Sequence, residues 1–396
     1  MVAKKTCPVC RSEKITNFLS RELVPVYQNM VFESQELAVG ANRGNLRLAC
    51  CEECGFIFNQ SFELASLDYK EGYDSDQHHS PSSKKYMEQL SRYLIFEKGV
   101  KNSRIVEVGC GQGYFLRQLL ELEDVGNCGY GFDPTYTGPL MELDGRLRFE
   151  KRNYDSKCSN IPTDVVICRH VIEHLPEPLV LLESIKEALV NSPKALVFFE
   201  TPCVKWIMEN QVFWDLFYEH CSYFTAESLT TAFEVSGFQV NAVKYVFGEQ
   251  YLWLEATMLE NKPRVTQKGG TEDILHSVHQ FSESERKYKQ AWEIKIQELA
   301  SKERIAIWGG AAKGVTFANL IDPSRQWISC VVDINPNKQG NYIPGTGHPI
   351  VSHQELEKLE ITCAIVMNPN YFEEIESLLR SMNLSIRLLN AGHEDT

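Results

Sequence analysis

The stretch Arg104-Ile-Val-Glu-Val-Gly109-Cys-Gly111-Gln-Gly113 limits the possible folds more than any other part of this chain. A short β-branched run enters a glycine-rich turn, and Tyr114-Phe-Leu-Arg-Gln-Leu-Leu120 continues with helical spacing. Gly129-Tyr-Gly-Phe-Asp133, Asp164-Val-Val-Ile-Cys168 and Ala195-Leu-Val-Phe-Phe-Glu200 read as further buried strands. Strand alternates with helix, which predicts a parallel sheet covered on both faces. The pattern starts again at Arg304-Ile-Ala-Ile-Trp308, with Gly309-Gly-Ala-Ala-Lys313-Gly314, Cys330-Val-Val-Asp333 and Ala364-Ile-Val-Met367. A second, smaller α/β unit is therefore expected. Residues 261–270 read as a linker, and an amphipathic helix is expected over roughly 272–302. The expected organisation is a small module over 1–75, a Rossmann-like domain over 76–260, a linker and long helix over 261–302, and a C-terminal α/β domain over 303–396.

The small module is marked by cysteine. Cys7-Pro-Val-Cys10 and Cys51-Glu-Glu-Cys54 each set two thiols on one tight turn, and two such turns complete a tetrahedron around zinc. Four thiolates leave no open position, so the expected zinc is structural. The chain has 13 cysteines, an odd number, and its first residues lack an apolar signal core. Metal ligands and buried thiols are thus expected over a disulfide framework, in a cytoplasmic protein. No apolar run approaches the roughly 20 residues that span a bilayer, so no membrane partner is expected. The net charge of −13, without a long basic run, argues against nucleic acid as a main partner. Oligomeric state is left open.

His170-Val-Ile-Glu173-His174 matches a zinc-peptidase helix pattern, but Pro176 ends any helix two residues later, and no third ligand is evident. The glycine loop gives the stretch another context. Glu107 precedes the loop and Asp133 ends the next strand. Acid, G-x-G-x-G and a strand-end acid resemble the class I S-adenosylmethionine-dependent methyltransferases. Val171-Ile-Glu-His174-Leu-Pro-Glu-Pro178 fits the segment that follows the fourth strand in that family. The resemblance implies cofactor contacts from Glu107, Gly109, Gly111, Gly113 and Asp133, with Asn153, Arg169 and His170 near the same pocket.

Substrate class turns on Phe213-Trp-Asp-Leu-Phe-Tyr218-Glu219-His220-Cys-Ser-Tyr223-Phe224-Thr225. Farther on lie Val331-Val-Asp-Ile-Asn-Pro-Asn-Lys-Gln-Gly340 and Pro344-Gly345. Together with the four cysteines, these resemble the nucleotide-sugar C-methyltransferases of deoxysugar biosynthesis over nearly the whole chain. The resemblance implies deprotonation of a nucleotide-linked 4-keto-deoxysugar to an enolate, followed by attack on the cofactor methyl. His220 matches the base and Glu219 the acid beside it, while His174 lines the sugar site. The family's tyrosine three residues before the base is Phe217 here; Tyr218 is the expected catalytic phenol, with Tyr223 or no tyrosine at all as the alternatives. Tyr73, Ser82, Ser83, Tyr223 and Lys313 are the expected substrate contacts. The competing readings are an O- or N-methyltransferase on a sugar or small metabolite, and a zinc-containing binding module with an inactive methyltransferase fold. An RNA methyltransferase is disfavoured by the charge.

Overall fold

The computed structural model describes residues 4–67, 78–122, 125–259 and 271–392. The first module is an antiparallel sheet of β1 (Ile15–Pro25), β2 (Arg43–Cys51) and β3 (Ile57–Asn59). The Cys7–Cys10 turn lies before β1, and the Cys51–Cys54 turn joins β2 to β3. Ile15 pairs with Cys51, so the strand register itself brings the two turns together. A fourth strand, Ser222–Tyr223, pairs with β3 although it comes from far along the chain.

The central sheet contains β4 (Arg104–Val108), β5 (Cys128–Phe132), β6 (Met141–Glu142), β7 (Leu147–Glu150), β8 (Val165–Arg169) and β9 (Leu196–Pro202). After β10, the Ser222–Tyr223 strand, the hairpin β11 (Phe238–Val246) and β12 (Tyr251–Met258) completes it. The order is β11-β12-β9-β8-β4-β5-β7-β6. The strands from β9 to β7 run parallel, while β12 enters antiparallel against β9. Parallel strands covered on both faces need continuous apolar sequence, and Val165–Cys168 is buried throughout. The helix Tyr114–Glu121 covers one face with Phe115, Leu116, Leu119 and Leu120. Successive strands leave β4 in opposite directions, to β5 on one side and β8 on the other. That reversal opens a crevice at the carboxyl ends of the strands, where α/β sheets take their ligands.

The third sheet is wholly parallel. Its strands are β13 (Ile305–Trp308), β14 (Ile328–Val332), β15 (Ile350–Val351), β16 (Cys363–Val366) and β17 (Arg387–Asn390), in the order β15-β14-β13-β16-β17. The helix Thr271–Ala300 buries Ile274, Val278, Phe281, Trp292 and Ile296. These side chains share one core with Phe18, Leu46 and Leu48 of the first module, with Ile305 of the third sheet and with Val315 and Phe317 of the helix Ala312–Ile321 that follows it. The long helix is thus a packing element that joins the two outer units. Among the described residues no helix is long and apolar enough to cross a membrane.

Candidate active site

The turn after β4 lies close to its neighbours. Gly109 has φ +70°, and a Cβ there would sit 2.2 Å from Val171 Cγ2. Gly113, at φ +77°, precedes the helix Tyr114–Glu121, and a Cβ would sit 2.4 Å from the Phe149 ring. Only glycine takes both the conformation and the space. Asp133 holds the turn: its carboxylate accepts from Gly111 N at 2.8 Å and from Thr135 N and Oγ1 at 2.7 and 2.6 Å. Glu107 lies beneath, 3% exposed, with Oε2 buried and lacking a hydrogen-bond partner among the described residues. Burial pushes its carboxyl up to about 8, against the pull of Arg169. An orphaned acid under a tight glycine cradle fits a ligand that brings a cation or hydrogen-bond donors, as an amino-acid or ribose moiety does. Asn153 is exposed on the segment after β7.

Glu107 carries a stability cost with a definite pH signature. Above pH 4.5 the unfolded chain releases this proton, whereas the folded chain keeps it until about pH 8. Stability therefore falls as pH rises through that window. Glu107→Gln should raise the melting temperature of the ligand-free protein by about 2–4 °C per kcal/mol recovered, increasingly so toward pH 8. The same change should weaken cofactor binding. Calorimetry across that pH range checks it, and an equal gain at every pH would contradict the assignment.

Beside the cradle, Glu200 at the end of β9 organises a knot of charge that the sequence motifs do not reveal. It is fully buried. Tyr86 OH donates to Oε2, Arg169 donates twice to Oε1 at 2.9 and 3.2 Å, and His170 Nε2 lies 2.8 Å from Oε1. Burial opposes the charge of Glu200, yet Arg169 and His170 hold its carboxyl at about 2. Burial opposes charge on His170 also, but Glu173 and Glu200 push it up to about 9. His170 is thus an imidazolium at neutral pH. It stands at φ +54°, strained backbone at the mouth of the crevice. The only earlier signal was Glu200 as the last residue of a buried apolar strand.

His174 and His220 meet edge to face, with ring centroids 4.8 Å apart. His174 Nδ1 lies 3.1 Å from the carbonyl oxygen of Glu219, and His220 packs on Phe217 at 4.2 Å. His220 Nδ1 is buried without a hydrogen-bond partner among the described residues. Burial keeps both imidazoles below their usual range. For His220 the charges of His174, His170 and Lys313 lower it further. The Glu219 carboxyl is fully buried, with Oε1 lacking a partner. Burial pushes it up to about 7, opposed by Gln28, Lys338 and Asn29. Buried Lys338 belongs to the Val331–Gly340 motif, so this segment of the third unit faces the acid beside His220.

The remaining expected residues separate. Lys313 pairs with Asp215 at 2.8 Å, donates to Gln250 at 3.3 Å and covers the Trp206 ring. Its charge reaches His220. Tyr218 OH accepts from Glu63 N at 2.9 Å, and its ring lies on Gly44, where a Cβ would come within 2.4 Å. Tyr223 OH donates to Phe217 O and accepts from Phe217 N, at 3.0 and 2.9 Å. Both hydroxyls are satisfied by backbone and both phenols are buried, while the Tyr223 ring also stands edge-on to His220, with centroids 6.1 Å apart. Ser82 and Ser83 open the helix Pro81–Arg92. Ser82 N and Ser80 Oγ hold the Glu374 carboxylate of the third unit at 2.8–2.9 Å, and Ser83 N donates to Ser80 Oγ. Tyr73 lies outside the described residues.

The first module holds the loop that carries His220. Arg21 donates to the carbonyls of Leu216 and Phe213 at 2.8 Å each and pairs with Glu285. Gln28 Oε1 accepts from Glu219 N at 3.2 Å. Two residues past His220, the chain joins β3 as β10. The cysteines that close this module are free thiols, with Sγ pairs at 3.6 Å (Cys7–Cys54) and 3.4 Å (Cys10–Cys51). A zinc with four thiolates at about 2.3 Å has sulfur–sulfur edges of about 3.8 Å, so these two pairs need only open by a few tenths of an ångström, and all four sulfurs already lie within 4.8 Å of one another.

Comparison with known proteins agrees with this architecture. Residues 77–243 match a methyltransferase-domain model, and residues 266–384 match the model of a C-methyltransferase C-terminal domain. The C-methyltransferase NovU of Streptomyces niveus is 27% identical over 222 residues, covering 53% of this chain and 52% of that protein. The ubiquinone biosynthesis O-methyltransferase of Colwellia psychrerythraea is 27% identical over 110 residues, 26% of this chain and 44% of that protein. The chain thus spans about half the length of the curated relatives it matches. Among solved structures, the 1,6-didemethyltoxoflavin-N1-methyltransferase of Burkholderia thailandensis covers 44% of this chain and 79% of its own, with 16% identity and TM-score 0.33.

Proposed function

We propose that this chain, a Rossmann-like class I methyltransferase with a C-methyltransferase C-terminal domain, methylates a carbon of a nucleotide-linked 4-keto-deoxysugar. The observation that carries the reading is a neutral-held His220 with a buried, unpartnered ring nitrogen, set between Glu219, His174 and the cations His170 and Lys313. A ring carbon next to a ketone becomes nucleophilic only after losing a proton. A neutral imidazole, with one ring nitrogen unprotonated, is suited to take it. Negative charge then collects on the ketone oxygen. The imidazolium of His170 and the ammonium of Lys313 supply a fixed positive field for it. S-adenosylmethionine, when bound, supplies a methyl group already activated by positive sulfur. Glu107, the glycine cradle and Asp133 would hold it beside that carbon, and orientation is the rest of what the protein contributes. NovU, a C-methyltransferase by name, supports carbon as the acceptor.

Transfer from methyl-labelled S-adenosylmethionine to a panel of nucleotide-4-keto-6-deoxysugars, read by product NMR, tests the proposal. Label on a ring carbon supports it. Label on oxygen or nitrogen keeps the cofactor reading and removes the enolate. No transfer to any panel member overturns the substrate class.

A further inference from the structure

We propose that Glu173, His174 and His220 form a second metal site, which takes a zinc-like divalent ion when the sugar is absent. The three side chains come from two separate segments, the turn Ile172–His174 and the loop before β10. One potential ligand atom from each lies within 4.8 Å of the others. Ligand atoms around a tetrahedral ion at about 2.1 Å lie about 3.4 Å apart, so closing the widest pair takes about 1.4 Å, shared between two side chains. Two of the donor groups carry an unsatisfied buried atom, Glu173 Oε1 and His220 Nδ1. The third is already set up as a ligand. His174 Nδ1 faces the carbonyl oxygen of Glu219, which only accepts, so that nitrogen carries the proton and Nε2 keeps its lone pair. A hydrogen bond that fixes the tautomer in this way is the usual outer support of a metal-bound histidine.

Two imidazoles and one carboxylate suit zinc, cobalt or iron over magnesium or calcium. Thr201 Oγ1 donates to Glu173 Oε2 at 3.1 Å, which leaves Oε1 as the oxygen for the ion. His170 Nδ1 is 3.4 Å from that oxygen, while its Nε2 stays on Glu200 at 2.8 Å. The ion therefore displaces the weaker of His170's two contacts. Binding stands on this geometry alone. Its consequence rests on His220 being the base: an ion on that imidazole blocks proton removal and competes with the sugar.

The test is a titration of the protein as purified, with its cysteine site filled by zinc, using cobalt(II) as the probe. The expected result is one equivalent of cobalt in four-coordinate form, with visible d–d bands and no thiolate charge transfer. Excess zinc bleaches those bands. Glu173→Gln and His174→Gln each weaken cobalt binding by about tenfold or more. Unchanged circular dichroism and tightly bound zinc confirm that both variants are folded. A wild-type protein showing only the pale spectrum of hydrated cobalt overturns the proposal, as do bands that persist unchanged in both variants. Inhibition by zinc that nucleotide-sugar relieves supports the competitive role. Bound metal without inhibition keeps the site and overturns that role.

Discussion

His220→Ala should lower methyl transfer by about 10²–10⁴-fold, the usual contribution of a positioned general base. Cofactor affinity should stay within about twofold, because Glu107 lies in β4 and the glycine cradle and Asp133 belong to the turns after β4 and β5. His220→Asn should fall as far, since an amide fills the space on Phe217 without accepting a proton. The pH profile gives a second signature. Burial together with His174, His170 and Lys313 lowers the His220 pKa below its ordinary 6.5. The imidazole therefore stays unprotonated down to pH values under 6.5, and its acid limb in kcat/KM lies below that point. Glu219, pushed up to about 7, places a separate limb near neutrality if its ionised form is needed. Loss of the lower limb alone in His220→Asn would identify the base. Near-normal turnover in both variants would remove His220 from the chemistry.

Loss of metal from the cysteine module should be as damaging, by another route. Structural zinc contributes about 10–16 kcal/mol to the folding of small zinc domains near neutral pH. Cys7→Ser or Cys51→Ser, or exhaustive chelation, should therefore unfold the first sheet. One face of the central sheet has a core of its own, around Phe115, Leu116 and Leu119, and should survive, while the other face packs on Cys7, Phe56 and Phe58 of this module and should loosen. Arg21, Gln28 and the β3–β10 pairing would be lost together, and with them the position of His220. The expected outcome is transfer near background with cofactor binding retained. Zinc analysis, hydrogen exchange and calorimetric titration with the cofactor product would show it. Full activity in a protein without zinc would contradict the linkage.

The elements that sequence makes legible are those built from neighbours in the chain. A buried strand, a glycine turn and the next helix form one local signal, and so do two C-x-x-C turns. His174, Glu219 and His220 were legible as a constellation only through resemblance, because β8 and the β9–β10 loop bring them together across some fifty residues. Glu200 left no signature beyond ending an apolar run, since its partners come from two other places, Tyr86 from the helix Pro81–Arg92 and Arg169 with His170 from the end of β8. Phenols are the least legible. Tyr218 and Tyr223 stand in the right sequence window for substrate, yet each hydroxyl satisfies backbone groups that bending the loop would otherwise leave buried and unpaired. Ser82 and Ser83 show the same ambiguity, for serines that start a helix resemble serines that hold a ligand. Here Ser82 meets the chain's own Glu374 carboxylate, and Ser83 meets the capping hydroxyl of Ser80.

The pairing of β3 with β10 also constrains how this protein can be shortened. A chain cut down to the central sheet keeps its cofactor crevice but loses the partner of Ser222–Tyr223. The hydrogen-bonding side of that strand, flanked by Phe224 and Phe217, would then face solvent as an open edge. Such edges recruit strands from other molecules. The shortest form of this chain that escapes aggregation is therefore set by a two-residue strand pair, and an isolated central domain should aggregate before it can be assayed.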